Sequence, residues 1–229
     1  MTSMAPVFLL IETSCRAGFV ALATGEEVRR VGRLDESRKH ARDLAPLTAQ
    51  ILEEENLRPG EVDAVLVSIG PGSYTGLRVG VMSAKTFAYA TGAHLIGIET
   101  MDVIAQQAPP DFQLLDVIVD AQQDRIYVQR YRREGDRWRQ DTELAIRYFT
   151  DWLNNRPMEA GISGPGLERF ANRLPNKTKV VAKELWFPQP ESFLRVGWQN
   201  FAAGKRDDLW TLEPLYLRPS AAEEKFQQQ

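Results

Sequence analysis

The segment Ser68-Ile69-Gly70-Pro71-Gly72-Ser73-Tyr74-Thr75-Gly76-Leu77-Arg78-Val79-Gly80 holds the densest set of residues that could do chemistry. It joins an apolar run to a small-residue stretch, so it reads as strand, glycine turn and helix start. Those are the parts of a phosphate-binding loop. Glycines let the backbone approach an anion, and the free N–H groups of a first helical turn receive it. A P-loop needs a lysine and a hydroxyl straight after its last glycine. Here Gly76 is followed by Leu77-Arg78, so that pattern fails. The dinucleotide fingerprint G-x-G-x-x-G sits in an opening βαβ unit. Gly70, Gly72 and Gly76 are spaced one residue too widely for it, Pro71 occupies the turn, and several strands precede them, although Glu99 ends the next strand as a ribose ligand would.

The other chemical candidates are sparse. His40 and His94 are the only histidines. A His-x-x-x-His metal site would need a second imidazole where Leu44 stands. Neither G-x-S-x-G nor a Cys/His constellation is present around the single cysteine, Cys15. Glu12 and Asp120 each end a strand, where a carboxylate can hold magnesium through water or simply cap a turn. The arginines at 130, 132, 133, 137 and 139 form a basic hairpin, which suits either phosphate contact or a solvated strand face. Finally, Gly76, Gly80, Ala84 and Ala88 recur at i, i+4 and make a smooth ridge on one helix face. Close packing within the chain and a partner interface both account for such a ridge.

The elements that must position these residues fall into two similar series. Strands are expected at 7–13, 18–24 and 27–34, then a helix at 40–56 whose face carries Leu44, Leu47 and Ile51. A buried strand at 62–69, a helix at 77–90, a strand at 95–99 and a short helix at 101–107 complete the first half. Pro109-Pro110 marks the boundary. The second half repeats the order, with strands at 114–120, 125–132 and 137–142, a helix at 148–154, a strand at 159–162, a helix at 166–174, a strand at 178–182 and a helix at 190–203. The reading is an α/β chain of two lobes, 1–108 and 109–229, each with a mixed sheet flanked by helices. They face one another across a cleft lined by Glu12, Thr13, Ser14 and Asp120.

With 229 residues, 43% of them hydrophobic, the chain can bury a substantial core. Its net charge of −3 gives no global attraction to nucleic acid. One cysteine forms no internal disulfide, the opening apolar run is too short for a secretory signal, and no segment reaches the length of a membrane span. A soluble cytoplasmic protein is expected.

Leu9-Leu10-Ile11-Glu12-Thr13-Ser14, His40-Ala41-Arg42-Asp43-Leu44, the glycine segment, Asp120-Ala121-Gln122 and Pro214-Leu215-Tyr216-Leu217-Arg218 occur in an order that resembles the TsaB family, the glycoprotease-like proteins of bacterial tRNA threonylcarbamoyladenosine biosynthesis. The resemblance implies the two-lobed actin-like ATPase (ribonuclease H-like) fold. It implies a scaffold without catalysis of its own, binding the catalytic paralogue TsaD together with TsaE for modification of adenosine 37 in tRNA. It also implies a homodimer when TsaD is absent, tRNA reached through the complex, no membrane, no cofactor required by this chain, and ATP or ADP only at the interface of the complex. On this reading Leu44, Leu47, Ile51, Gly76, Gly80, Ala84 and Ala88 meet the partner, and Glu12, Thr13, Ser14 and Asp120 line a vestigial nucleotide cleft. An ATP-dependent small-molecule kinase of the same fold is the alternative. Glu12 departs from the aspartate usual in the family, and Gln122-Gln123 from its paired arginines.

Overall fold

In β1 (Val7–Glu12) successive side chains point into different cores. Leu9 and Ile11 join one apolar cluster, and Phe8 and Leu10 another. That alternation is the period of a strand covered on both faces, which is why the run reads as continuously apolar. β1 pairs antiparallel with β2 (Phe19–Thr24), and β2 with β3 (Glu27–Arg33). α1 (His40–Glu54) then leads to β4 (Ala64–Gly70), α2 (Tyr74–Thr91), β5 (His94–Glu99) and α3 (Thr100–Gln106). β4 and β5 are parallel to β1, giving the order β3-β2-β1-β4-β5. The structure, a computed structural model, describes residues 5–34 and 40–217, the side chains of His40 and Ala41 excepted.

The second lobe restates the plan. β6 (Leu114–Asp120) pairs antiparallel with β7 (Arg125–Glu134). The far edge of β7 is shared by β8 (Arg137–Gln140) and β9 (Ala145–Tyr148). After α4 (Phe149–Asn155), β10 (Gly161–Ser163) returns parallel to β6, as β4 does to β1. α5 (Leu167–Phe170) and α6 (Pro190–Ala202) follow. Two mixed sheets of like order, each flanked by helices, make the expected two-lobed α/β arrangement.

Three expectations change. The strand expected at 178–182 is reduced to a single bridge between Ile162 and Val180, because Lys177, Lys179 and Lys183 leave only Val180 and Val181 to bury. The helix expected at 166–174 is one turn of α5 followed by a 3-10 turn, Ala171–Arg173. The division at 108/109 does not hold for the chain's end. Phe193, Leu194 and Val196 of α6 pack beneath the first sheet with Phe8, Leu10, Phe19 and Ile96. Beyond α6 the chain straps the open edge of β5, where Asp207 N–H donates to Leu95 O (2.8 Å). Gly97 N–H donates to Asp207 Oδ2 (2.7 Å), and Leu215 N–H to Ile69 O (2.8 Å). An edge strand is thus covered.

Candidate functional site

Each lobe contributes to a cleft of ≈ 590 Å³. The first lobe brings Ser14, Cys15 and the turn Gly72–Thr75, and the second brings Asp120, Gln122 and Glu168. Arg16 reaches across it to an ion pair with Glu168, and its guanidinium lies 5.5 Å from the Phe187 ring. Ser14 and Asp120 both line the cleft. Glu12 and Thr13 do not, because they lie behind the cleft wall, fully buried.

The reason is the glycine segment itself. Ser73 N–H donates to Ser14 O (2.6 Å), and Ser73 Oγ caps α2 by accepting from Gly76 N–H (3.2 Å). A Cβ on Gly72 would stand 2.2 Å from Ser14 O, and one on Gly76 2.1 Å from Thr13 O. On Gly80 it would meet Thr13 Oγ1 at 2.1 Å. These glycines are glycines so that the turn after β1 can lie against the start of α2. Two carbonyl oxygens and a serine hydroxyl then occupy the helix N-terminus, where an anion would have to bind. The resemblance implies a vestigial nucleotide cleft at this turn, and the residues found there do not fit a phosphate group.

The electrostatics agree. Glu12 Oε1 accepts from Ser14 N–H (2.5 Å), while Glu12 Oε2, Thr13 Oγ1 and Ser14 Oγ are buried without a partner. Burial, only partly offset by the Ser14 hydrogen bonds, pushes the Glu12 carboxyl from its ordinary 4.5 to about 7. Burial likewise raises the Cys15 thiol, with the Glu12 charge acting in the same direction. In the second lobe Asp120 accepts from Gln122 N–H (2.8 Å) and pairs with Arg169 (3.1 Å). Gln122, Gln123 and Asp124 all adopt positive φ, a strained left-handed turn at the cleft wall.

The second lobe has a glycine turn of its own. Gly164-Pro165-Gly166 follows β10 as Gly70-Pro71-Gly72 follows β4, with φ of 109° at Gly164 and 104° at Gly70. A Cβ on Gly164 would stand 2.3 Å from Ile118 O in the opening strand of its lobe. The repeated Gly-Pro-Gly was the available signal.

The expected partner face is corrected. Gly76, Gly80, Ala84 and Ala88 are buried within the first lobe, against the Thr13 turn or in the apolar core. Leu44 and Ile51 are buried in the same core, and Leu47 packs against Gly32. The outward face of α2 is different. Met82 and Tyr89 are 61% and 71% exposed, and Trp210 of the strap, 74% exposed, has its ring 6.0 Å from Tyr89. The Tyr74 and Tyr216 rings meet at 4.9 Å, tilted by 38°, and the Arg78 guanidinium lies 4.7 Å from the Tyr74 ring. Lys85 Nζ fastens strap to helix through Trp210 O and Leu212 O, both at 3.1 Å.

The basic hairpin is largely neutralised. Arg130 pairs with Asp116, Arg132 with Asp141 and Arg139 with Glu134, and Arg133 donates to the carbonyls of Ala108, Pro109 and Phe112. His94 is exposed, and the His40 side chain and Arg218 lie outside the described residues. Among the described residues no three His, Cys, Asp or Glu side chains are placed to share a metal, and no helix is long and apolar enough to cross a membrane.

A family model described as "TsaD: tRNA N6-adenosine threonylcarbamoyltransferase" matches residues 35–224. The chain belongs to this family. Within it the similarity runs to TsaB proteins. The chain is 28% identical over 226 residues to the tRNA threonylcarbamoyladenosine biosynthesis protein TsaB of Escherichia coli, covering 95% of this chain and 97% of that one. It is 25% identical to the Bacillus subtilis protein of the same name over 82% of this chain and 84% of the other. Among solved structures, YeaZ from Pseudomonas aeruginosa superposes with a TM-score of 0.77 at 21% identity, over 93% of this chain and 100% of that one, which shares the fold. Family membership places the chain in tRNA threonylcarbamoyladenosine biosynthesis.

Proposed function

We propose that this chain is a non-catalytic subunit of the threonylcarbamoyl-transfer machinery. It binds and activates TsaD, with TsaE joining the pair, and it reaches tRNA only through that complex. The observation that carries the reading is the pairing of a closed phosphate-loop position with an open apolar face. Glu12 and Thr13 are sealed under α2, whereas Met82, Tyr89 and Trp210 stand in solvent on one continuous surface of α2 and its strap. Exposed aromatic and methionine side chains grouped around an arginine are the composition of an interface centre. The same surface accepts a second copy of this chain when TsaD is absent. ATP or ADP, where the complex uses it, is held by residues other than the Glu12 turn.

The test is co-purification with TsaD. Tyr89→Ala weakens the complex by about 2 kcal/mol, the scale of an aromatic interface anchor, and Met82→Glu abolishes it. Both variants keep the melting temperature of the parent, because neither side chain is in the core. Unchanged complex formation by both would remove this face from the account.

A further inference from the structure

A second cavity, of ≈ 380 Å³, lies in the second lobe between β7, β9 and α4 and shares no lining residue with the interlobe cleft. At its floor is Asp116, fully buried. Arg130 grips both of its oxygens, through Nε at 2.7 Å and Nη2 at 3.2 Å. Trp152 Nε1 and Arg156 Nε donate to Oδ2 at 3.2 and 3.3 Å. Arg156 is itself almost wholly buried, with Nη2 bonded to Ala160 O. One carboxylate thus faces two guanidinium groups, and the floor keeps one positive charge in excess. These bonds use the Nε and Nη2 of each arginine and leave both Nη1 groups without a protein partner among the described residues. Burial, with the Arg130 charge acting the same way, pushes the Arg156 guanidinium below its ordinary range against the pull of Asp116 and, more weakly, of Glu159. A structural ion pair needs only one arginine, and a surplus buried cation is costly unless an anion joins it.

The rim has the opposite character. Glu143 and Asp151 are exposed there without an ion pair among the described residues, beside a third cation, Arg147. Rim carboxylates repel a polyanion such as a nucleotide, and the cationic floor repels a simple amine. A small molecule carrying a carboxylate and an ammonium matches both ends. Val128, Ala145 and the Trp152 ring supply an apolar wall between them, in a volume at the lower end of the range for small-molecule sites. We infer that this pocket binds a free α-amino acid, its carboxylate on the Nη1 groups of Arg130 and Arg156 and its ammonium on Glu143 and Asp151.

The Trp152 indole N–H, bonded to Asp116, is a built-in reporter. The full chain is titrated with alanine, alanine methyl ester, propionate and inorganic phosphate while that N–H is followed by nuclear magnetic resonance. Alanine is expected to shift the signal with millimolar affinity, and the ester and propionate to bind about tenfold more weakly, each having lost one charged end. Glu143→Gln combined with Asp151→Asn changes two exposed side chains and should leave the fold intact. It removes the advantage of alanine over propionate, and propionate itself binds no more weakly than before. Two results would overturn the inference. One is a Trp152 signal that saturating alanine does not move. The other is binding of propionate or phosphate as tight as that of alanine, which would make the pocket an anion site only.

Discussion

Glu12 carries a carboxyl group into a fully buried space with no counter-ion among the described residues. Its folded pKa, about 7, stands above the ordinary 4.5. Between those values the folded state holds the proton that the unfolded state has released, so stability falls as pH rises from about 4.5 through about 7. Glu12→Gln removes the ionisation. It should stabilise the protein by about 3 kcal/mol at pH 8, with the gain vanishing toward pH 4.5, as read by urea denaturation across pH. A gain independent of pH would show that the carboxyl is not buried as described. The neighbouring contact makes a second test. Gly80→Ala drives a methyl into Thr13 Oγ1 and should cost about 1–3 kcal/mol by overpacking. Adding Thr13→Ala should recover part of that loss. At this scale the sequence showed which residues matter but not which way they face. Glycines that admit a phosphate and glycines that admit a neighbouring carbonyl look the same until the β1 turn is placed against them.

α2 shows what helical periodicity does and does not reveal. The spacing of Gly76, Gly80, Ala84 and Ala88 was legible as one face, but two uses fitted it and the inward use is the real one. Small residues are needed where a helix lies against the strand ends of its own lobe. The opposite face, Tyr74, Arg78, Met82 and Tyr89, was equally periodic, yet its exposure depends on a strap drawn from more than a hundred residues later. The repeat of strands and helices was legible because each element has its own period. The placement of α6 under the first sheet was not, since an amphipathic helix does not say which sheet it covers. Lys85→Met removes the donor to Trp210 O and Leu212 O, and it should loosen the strap, raising amide exchange for 207–216 while the exchange of β1 and β4 stays as it was. Protection unchanged along the strap would show that its apolar contacts alone hold it.

At the scale of the molecule, two chain crossings join the lobes among the described residues, and Gln107 clasps one lobe to the other. Its Nε2 donates to Leu185 O and Phe187 O, both at 3.0 Å, and its Oε1 accepts from Gln189 N–H at 2.7 Å. Arg16 and Glu168 pair across the cleft. The central claim is that the outer face of α2, and not the cleft, carries the function. The most direct measurement is threonylcarbamoylation of tRNA reconstituted from TsaD, TsaE, supplied threonylcarbamoyl-adenylate and this chain. Glu12→Gln should support the reaction at the parental rate, and Met82→Glu should reduce it to the level seen without the chain. Loss of product with Glu12→Gln alongside full activity with Met82→Glu would contradict the account.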